Sequence, residues 1–217
     1  MKRANCCILM VFCSLFFAAS AAPARPVSYK GGWVLEGKFD IDSYWGIVHY
    51  SPESWISFGS RTEYFKDGWL FTGGQVNLLA KRWNHEKWQA NVFVKSGVGL
   101  VTTTDRGNNK QDIAAFTGFS ADWEDRRYFI MYENNYMYAG GIESFFDQKV
   151  RLGVAPYIGD FGDIHTWLML DLKCKISRGK TPDFNIVPLV RFFKGPIMAE
   201  AGSSVKGDVY FSWTMLF

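Results

Sequence analysis

Residues 165–176 read HTWLMLDLKCKI. Thr166, Leu168, Leu170, Leu172, Cys174 and Ile176 fall on one alternate row, and Trp167, Met169, Asp171, Lys173 and Lys175 fall on the other. Successive side chains of an extended strand point to opposite faces. The stretch is therefore a strand with one apolar face and one face carrying charge. The division recurs upstream. Val150, Leu152, Val154, Pro156 and Ile158 oppose Lys149, Arg151, Gly153, Ala155 and Tyr157. Ala90, Val92, Val94, Val98 and Leu100 oppose Gln89, Asn91, Phe93, Lys95, Gly97 and Gly99.

The same period predicts twelve strands, at 33–39, 44–50, 55–65, 69–82, 88–102, 112–122, 127–138, 146–158, 164–176, 184–193, 197–204 and 208–217. Ten is the alternative count, and the first segment is the most ambiguous. Two architectures share this pattern. A soluble sandwich turns its apolar face into a core, whereas a membrane barrel turns it into lipid and keeps the polar face inside. Many segments reach the roughly 9–11 residues that cross a bilayer with tilt. Gly59, Gly73, Gly97, Gly99, Gly118, Gly153 and Gly202 fall on the inner row, as a narrow lumen requires. The three longest expected connections, at 103–111, 139–145 and 177–183, share one end, as outer loops do in bacterial barrels. Trp83, Trp88, Trp123 and Tyr128 flank turns at one end, and Trp69, Tyr136 and Tyr138 lie near the other, as interfacial belts do. The expected fold is all-β: an antiparallel, up-and-down transmembrane β-barrel.

The N-terminus carries Lys2 and Arg3, an apolar run over residues 6–19, and small residues at Ala19, Ser20 and Ala21. This is the layout of a secretory signal peptide, and the run is shorter than the roughly 18 apolar residues of a membrane helix. The expected organisation is a signal at 1–21, a short periplasmic segment at 22–32 and one barrel domain at 33–217. Cys6, Cys7 and Cys13 leave with the signal, so Cys174 has no partner for a disulfide. The net charge of +3 is too small to argue for nucleic acid.

The chain ends VYFSWTMLF, with Val209, Phe211, Trp213, Met215 and Phe217 on one alternate row. Together with the signal segment and the alternating strands, this resembles the outer-membrane β-barrel proteins of Gram-negative bacteria. Segments such as ADWEDRRYF, APYIGDFGDIHTWLML and PLVRFF are similar to small uncharacterised members of that class. The resemblance implies an outer-membrane location and contact with outer-membrane lipid. It also implies handling by periplasmic chaperones and the barrel-assembly machinery. Those five alternate residues would then be the assembly signal. It implies no activity.

The histidines are the candidates for chemistry. His49 lies near Ser51, His165 near Asp163, and His85 near Glu86. A hydrolytic nucleophile needs a base in reach and a group to orient that base. All three histidines map to the end bearing the chain termini, away from the outer leaflet that a lipid-editing enzyme would address. No metal-ligand spacing occurs, and no cofactor is expected. The inner row carries Arg61, Glu63, Gln75, Asn77, Lys81, Gln89, Asn91, Lys95, Glu133, Lys149, Arg151, Asp171, Lys173, Arg191 and Glu200, with basic groups in excess. Paired, they would plug the barrel; hydrated, they would line a narrow pore with an anion bias. The expectation is a monomeric, non-enzymatic barrel, either a narrow channel for small polar or anionic solutes or a structural barrel. The alternatives are a lipid-modifying acyl hydrolase or transferase using His49, Ser51, His165 or Asp163, and a soluble exported β-sandwich binding protein.

Overall fold

The computed structural model describes residues 25–104, 110–160 and 162–217. The expected signal at 1–21 and the middle of the 103–111 connection lie outside the described residues. The elements are β1 (Gly32–Phe39), β2 (Ser43–Glu53), β3 (Ile56–Phe65), β4 (Trp69–Asn84), β5 (Trp88–Thr103), β6 (Gln111–Asp125), β7 (Tyr128–Ala139), β8 (Glu143–Val154), β9 (His165–Ser177), β10 (Asp183–Lys194), β11 (Ile197–Ser203) and β12 (Val209–Leu216). Each strand pairs antiparallel with its chain neighbours, and β1 pairs with β12, so the sheet closes into a twelve-stranded barrel. The even count puts both ends of the barrel sequence at one rim, here the terminal end; the opposite rim is the far end.

The β8–β9 connection departs from expectation. β8 stops at Val154 rather than at 158, and residues 155–164 form a connection at the terminal end longer than any at the far end. Pro156 has no N–H to give the ladder, and Gly162 takes a positive φ of 91°. Loop length therefore does not distinguish the two rims in the way the sequence suggested.

The β1–β12 ladder runs from Val34↔Leu216 to Phe39↔Phe211. Trp33 and Phe217 extend it by reciprocal backbone bonds of 3.0 and 2.9 Å. Outside this seam the Trp213 indole lies over Gly37, where an added Cβ would sit 2.4 Å from Nε1. Around the far rim, Phe211, Phe39, Tyr44 and Tyr64 form a row across β12, β1, β2 and β3, with successive ring centroids 6.4, 5.4 and 6.4 Å apart. Trp33 and Tyr50 pair at the terminal rim at 5.0 Å. Between these rows Val98, Leu100, Ile113, Leu168, Leu172 and Ile186 are exposed outward. The outward polar groups find local partners: Ser96 and Thr117 bond at 2.9 Å, and the Asn134 Oδ1 accepts the Phe119 N–H at 3.2 Å, where the β6–β7 ladder is interrupted. Trp69 is not a belt residue. It is 2% exposed, points inward and stacks on Phe65 at 3.7 Å.

Inside, small and large residues alternate around the wall. One row runs His49, Gly59, Gln75, Gly97, Phe116 across β2 to β6. The glycines give the neighbouring rings room: a Cβ on Gly97 would lie 2.4 Å from the Phe116 ring. Phe65, Trp69, Phe71, Phe116, Met137 and Phe145 fill the far end on the β3–β8 side. A second apolar cluster, including Phe129, Trp167, Met169, Val187 and Leu189, lines the opposite wall.

Gly97→Val should overpack this row and cost about 1–3 kcal/mol, read as an earlier urea midpoint in detergent. Gly74→Ala is the control. Its Cβ meets nothing nearer than 4.0 Å, and a change within about 0.5 kcal/mol is expected.

Candidate functional site

Closing the sheet places a dyad-related set of polar side chains in a shared interior, where charge must be paired or hydrated. The centre is a buried cluster around Glu200 of β11. Its Oε1 accepts Arg151 Nη1 at 2.7 Å and Arg191 Nε at 2.6 Å; its Oε2 accepts the Tyr210 hydroxyl at 2.7 Å and the Ser212 hydroxyl at 3.0 Å. Arg151 also makes a two-pronged pair with Asp171, Nε to Oδ1 at 2.6 Å and Nη2 to Oδ2 at 2.8 Å. The fork geometry fits a carboxylate. Strands β8 to β12 are thereby tied through side chains as well as backbone.

Other pairs surround this centre. Glu133 accepts both Lys95 and Lys149, the latter at 2.7 Å. Glu63 accepts Arg61 and, at 2.6 Å, the Ser43 hydroxyl. Gln75 donates to Asn77 at 2.7 Å, and Asn77 donates to Ser57 at 2.9 Å. Asp40, in the β1–β2 turn, receives Lys38 and Lys173, each at 2.5 Å. Burial pushes the Asp40 carboxyl up, but the two ammonium groups outweigh it and hold it well below the usual carboxylate range. Lys173 also lies over the Tyr210 ring at 5.0 Å.

Of the inner row expected from sequence, Arg61, Glu63, Gln75, Asn77, Gln89, Asn91, Lys95, Glu133, Lys149, Arg151, Asp171, Lys173, Arg191 and Glu200 make these contacts or adjoin them. Lys81 does not. It is exposed on the outer face over the Trp83 ring at 5.8 Å. A register shift between Leu79 and Lys81 adds a residue to β4 and reverses its parity. Arg82 takes the inward place, and its Nε donates to Asn91 at 2.7 Å.

The sequence list also omitted inward acids: Glu36 on β1, Asp122 and Glu124 on β6, and Asp147 on β8. Each lies two residues along from another inward position, Lys38, Ser120, Asp122 and Lys149 respectively, so extending the alternation would have found them. With them included, one cavity of about 310 Å³ is lined by nine basic and ten acidic side chains. The basic excess disappears, and with it the reason to expect an anion bias. The cavity reaches Asp40, Asp42 and Asp183 at far-end turns and strand ends, and Arg25 and Pro26 at the terminal end.

The histidines do not meet a catalytic partner. His49 is 2% exposed with neither ring nitrogen hydrogen-bonded. The Ser51 hydroxyl oxygen accepts the Ser28 N–H at 3.0 Å. His165 stacks on Phe193 at 4.5 Å, while the Asp163 carboxylate accepts the Asp160 N–H at 3.0 Å. Among the described residues no group of three or more His, Cys, Asp or Glu side chains converges in a way that could hold a metal.

No family model matches the chain, and no curated protein matches it in sequence. Among solved structures it is similar to LpxR from Salmonella typhimurium, at 7% identity and a TM-score of 0.48, over 86% of this chain and 99% of that chain. Likeness at this level transfers no residue role.

Arg151→Met should cost about 3–5 kcal/mol, because it strands the buried Asp171 carboxylate. Arg151→Met with Asp171→Met should be less damaging than Arg151→Met alone, as Glu200 retains Arg191, Tyr210 and Ser212. Urea unfolding of both variants in detergent measures the difference.

Proposed function

We propose that the protein is an integral outer-membrane barrel that passes small polar solutes through a narrow, charge-balanced lumen and performs no bond chemistry. The observation that carries this reading is the charge-lined cavity, whose lining residues run from the far-end turns to the terminal end. A barrel that served only as a wall would gain more by filling that volume with apolar side chains, since replacing buried ion pairs with packed apolar groups is often neutral or stabilising. The outward apolar surface and the aromatic rows at both rims support the membrane setting. In that setting the terminal end faces the periplasm and the far end faces outward.

Val209, Phe211, Trp213, Met215 and Phe217 are proposed to be read by the assembly machinery. Val209, Phe211 and Phe217 are exposed on the outer face, and Tyr210, Ser212, Thr214 and Leu216 are buried. Among the described residues His49 makes no bond to Ser51, and Asp163 bonds the Asp160 N–H, which weighs against the lipid-modifying alternative built on them; the near-balance of lining charge argues against anion selectivity.

Single-channel recording in planar bilayers under a salt gradient tests the reading. Small openings with a reversal potential near zero are expected. Silence at every voltage, in the native chain and in the strap variant described below, would leave a purely structural barrel. A reversal potential close to that of chloride would contradict the charge balance.

A further inference from the structure

Residues 25–28 precede the first strand, yet they lie inside the barrel, whereas Tyr29 and Lys30 are exposed. Arg25 is 9% exposed, and its Nη2 donates to Glu124 at 2.5 Å and lies 3.8 Å from Asp122; its Nη1 donates to Gln89. The Pro26 carbonyl accepts the Ser57 hydroxyl at 2.7 Å, and Val27 is 3% exposed. The segment is therefore held from β2, β3, β5 and β6 together. Gly31, at φ 81°, turns the chain out of the lumen into β1, with its N–H on the Ser51 carbonyl at 2.7 Å.

Two features separate this segment from the wall. Its ties are side-chain pairs and single hydrogen bonds with one small apolar anchor, the kind of element that opens before the body of a fold. It also lines the terminal end of the same cavity whose other end reaches Asp40, Asp42 and Asp183. Ser57 continues inward through Asn77 to Gln75, so the segment sits at the foot of a polar ladder leading into the cavity.

We infer that residues 25–28 form a displaceable strap that closes the periplasmic mouth of the lumen, and that breaking the Arg25 pairs connects the cavity to the periplasm. This rests on the passage reading above and adds its control point. The acids that hold Arg25 are left facing the opened mouth, so the strap is at once a plug and the counter-charge of Asp122 and Glu124.

The test compares the full chain with Arg25→Glu, which sets a third carboxylate against Asp122 and Glu124, and with Arg25→Glu plus Glu124→Arg, which restores an opposite-charge pair. The first readout is open fraction in planar bilayers. The second does not depend on conduction: the rate at which a membrane-impermeant thiol reagent labels Ser120→Cys, a cavity-lining position, in a Cys174→Ser background. Arg25→Glu should raise both by about tenfold, a shift of roughly 1.4 kcal/mol in the strap equilibrium, and the charge swap should return both toward the native values. Correctly folded Arg25→Glu that labels at the native rate overturns the strap. Faster labelling without conductance keeps the strap and removes the passage. Equal conductance in all three chains, with equal labelling, keeps the passage and removes the strap.

Discussion

Closure of the β1–β12 seam is the constraint on which everything else depends. An open sheet of twelve strands would present two rows of unpaired N–H and C=O groups, which the proposed lipid setting could not satisfy. The reciprocal Trp33–Phe217 bonds and the ladder above them remove those edges. Gly37 matters here because the Trp213 indole occupies the space its side chain would need. The seam is also the low side of the wall: β11, β12 and β1 have 7, 8 and 8 residues, against 16, 16 and 15 in β4, β5 and β6. The aromatic row through Phe211, Phe39, Tyr44 and Tyr64 crosses this short side.

Once the sheet is closed, period-two alternation obliges half of every strand to face the same interior. Twelve strands lie between the eight whose interior side chains fill and the sixteen that leave an aqueous channel. The chain meets this in two ways. Aromatic side chains opposite glycines fill the far end on one side, and cross-strand ion pairs fill the centre. Glu200 shows how complete the second device is. Two arginines and two hydroxyls from three other strands satisfy one carboxylate. Pairing of this kind fixes register across strands that share no backbone bond, such as β8 with β11, and leaves the lumen near neutrality.

The fold was legible because a closed sheet writes its geometry into every other residue. All twelve strands lie within a few residues of their predicted positions, and Asp171 and Lys173 could be placed inside from 165–176 alone. What escaped detection did so for physical reasons. Lys81 and Arg82 exchanged faces because one added residue reverses parity, and no residue type announces a bulge. Glu36 and Lys38 were missed because β1 is short and reads ambiguously. Pro156 could have ended β8 earlier, since it cannot donate to a ladder. The position of Arg25 was not readable, because a segment without periodicity carries no signal of where it docks.

The proposed membrane setting unites the outward apolar face with the charged interior. Its most direct test is a spin-label scan from Thr166 to Ile176 in reconstituted bilayers. The expected result is a period of two, with labels at Thr166, Leu168, Leu170, Leu172 and Ile176 meeting lipid-dissolved oxygen and those at Trp167, Met169, Asp171, Lys173 and Lys175 shielded from it. Even positions that instead meet only a water-borne relaxation agent would contradict a lipid-facing wall.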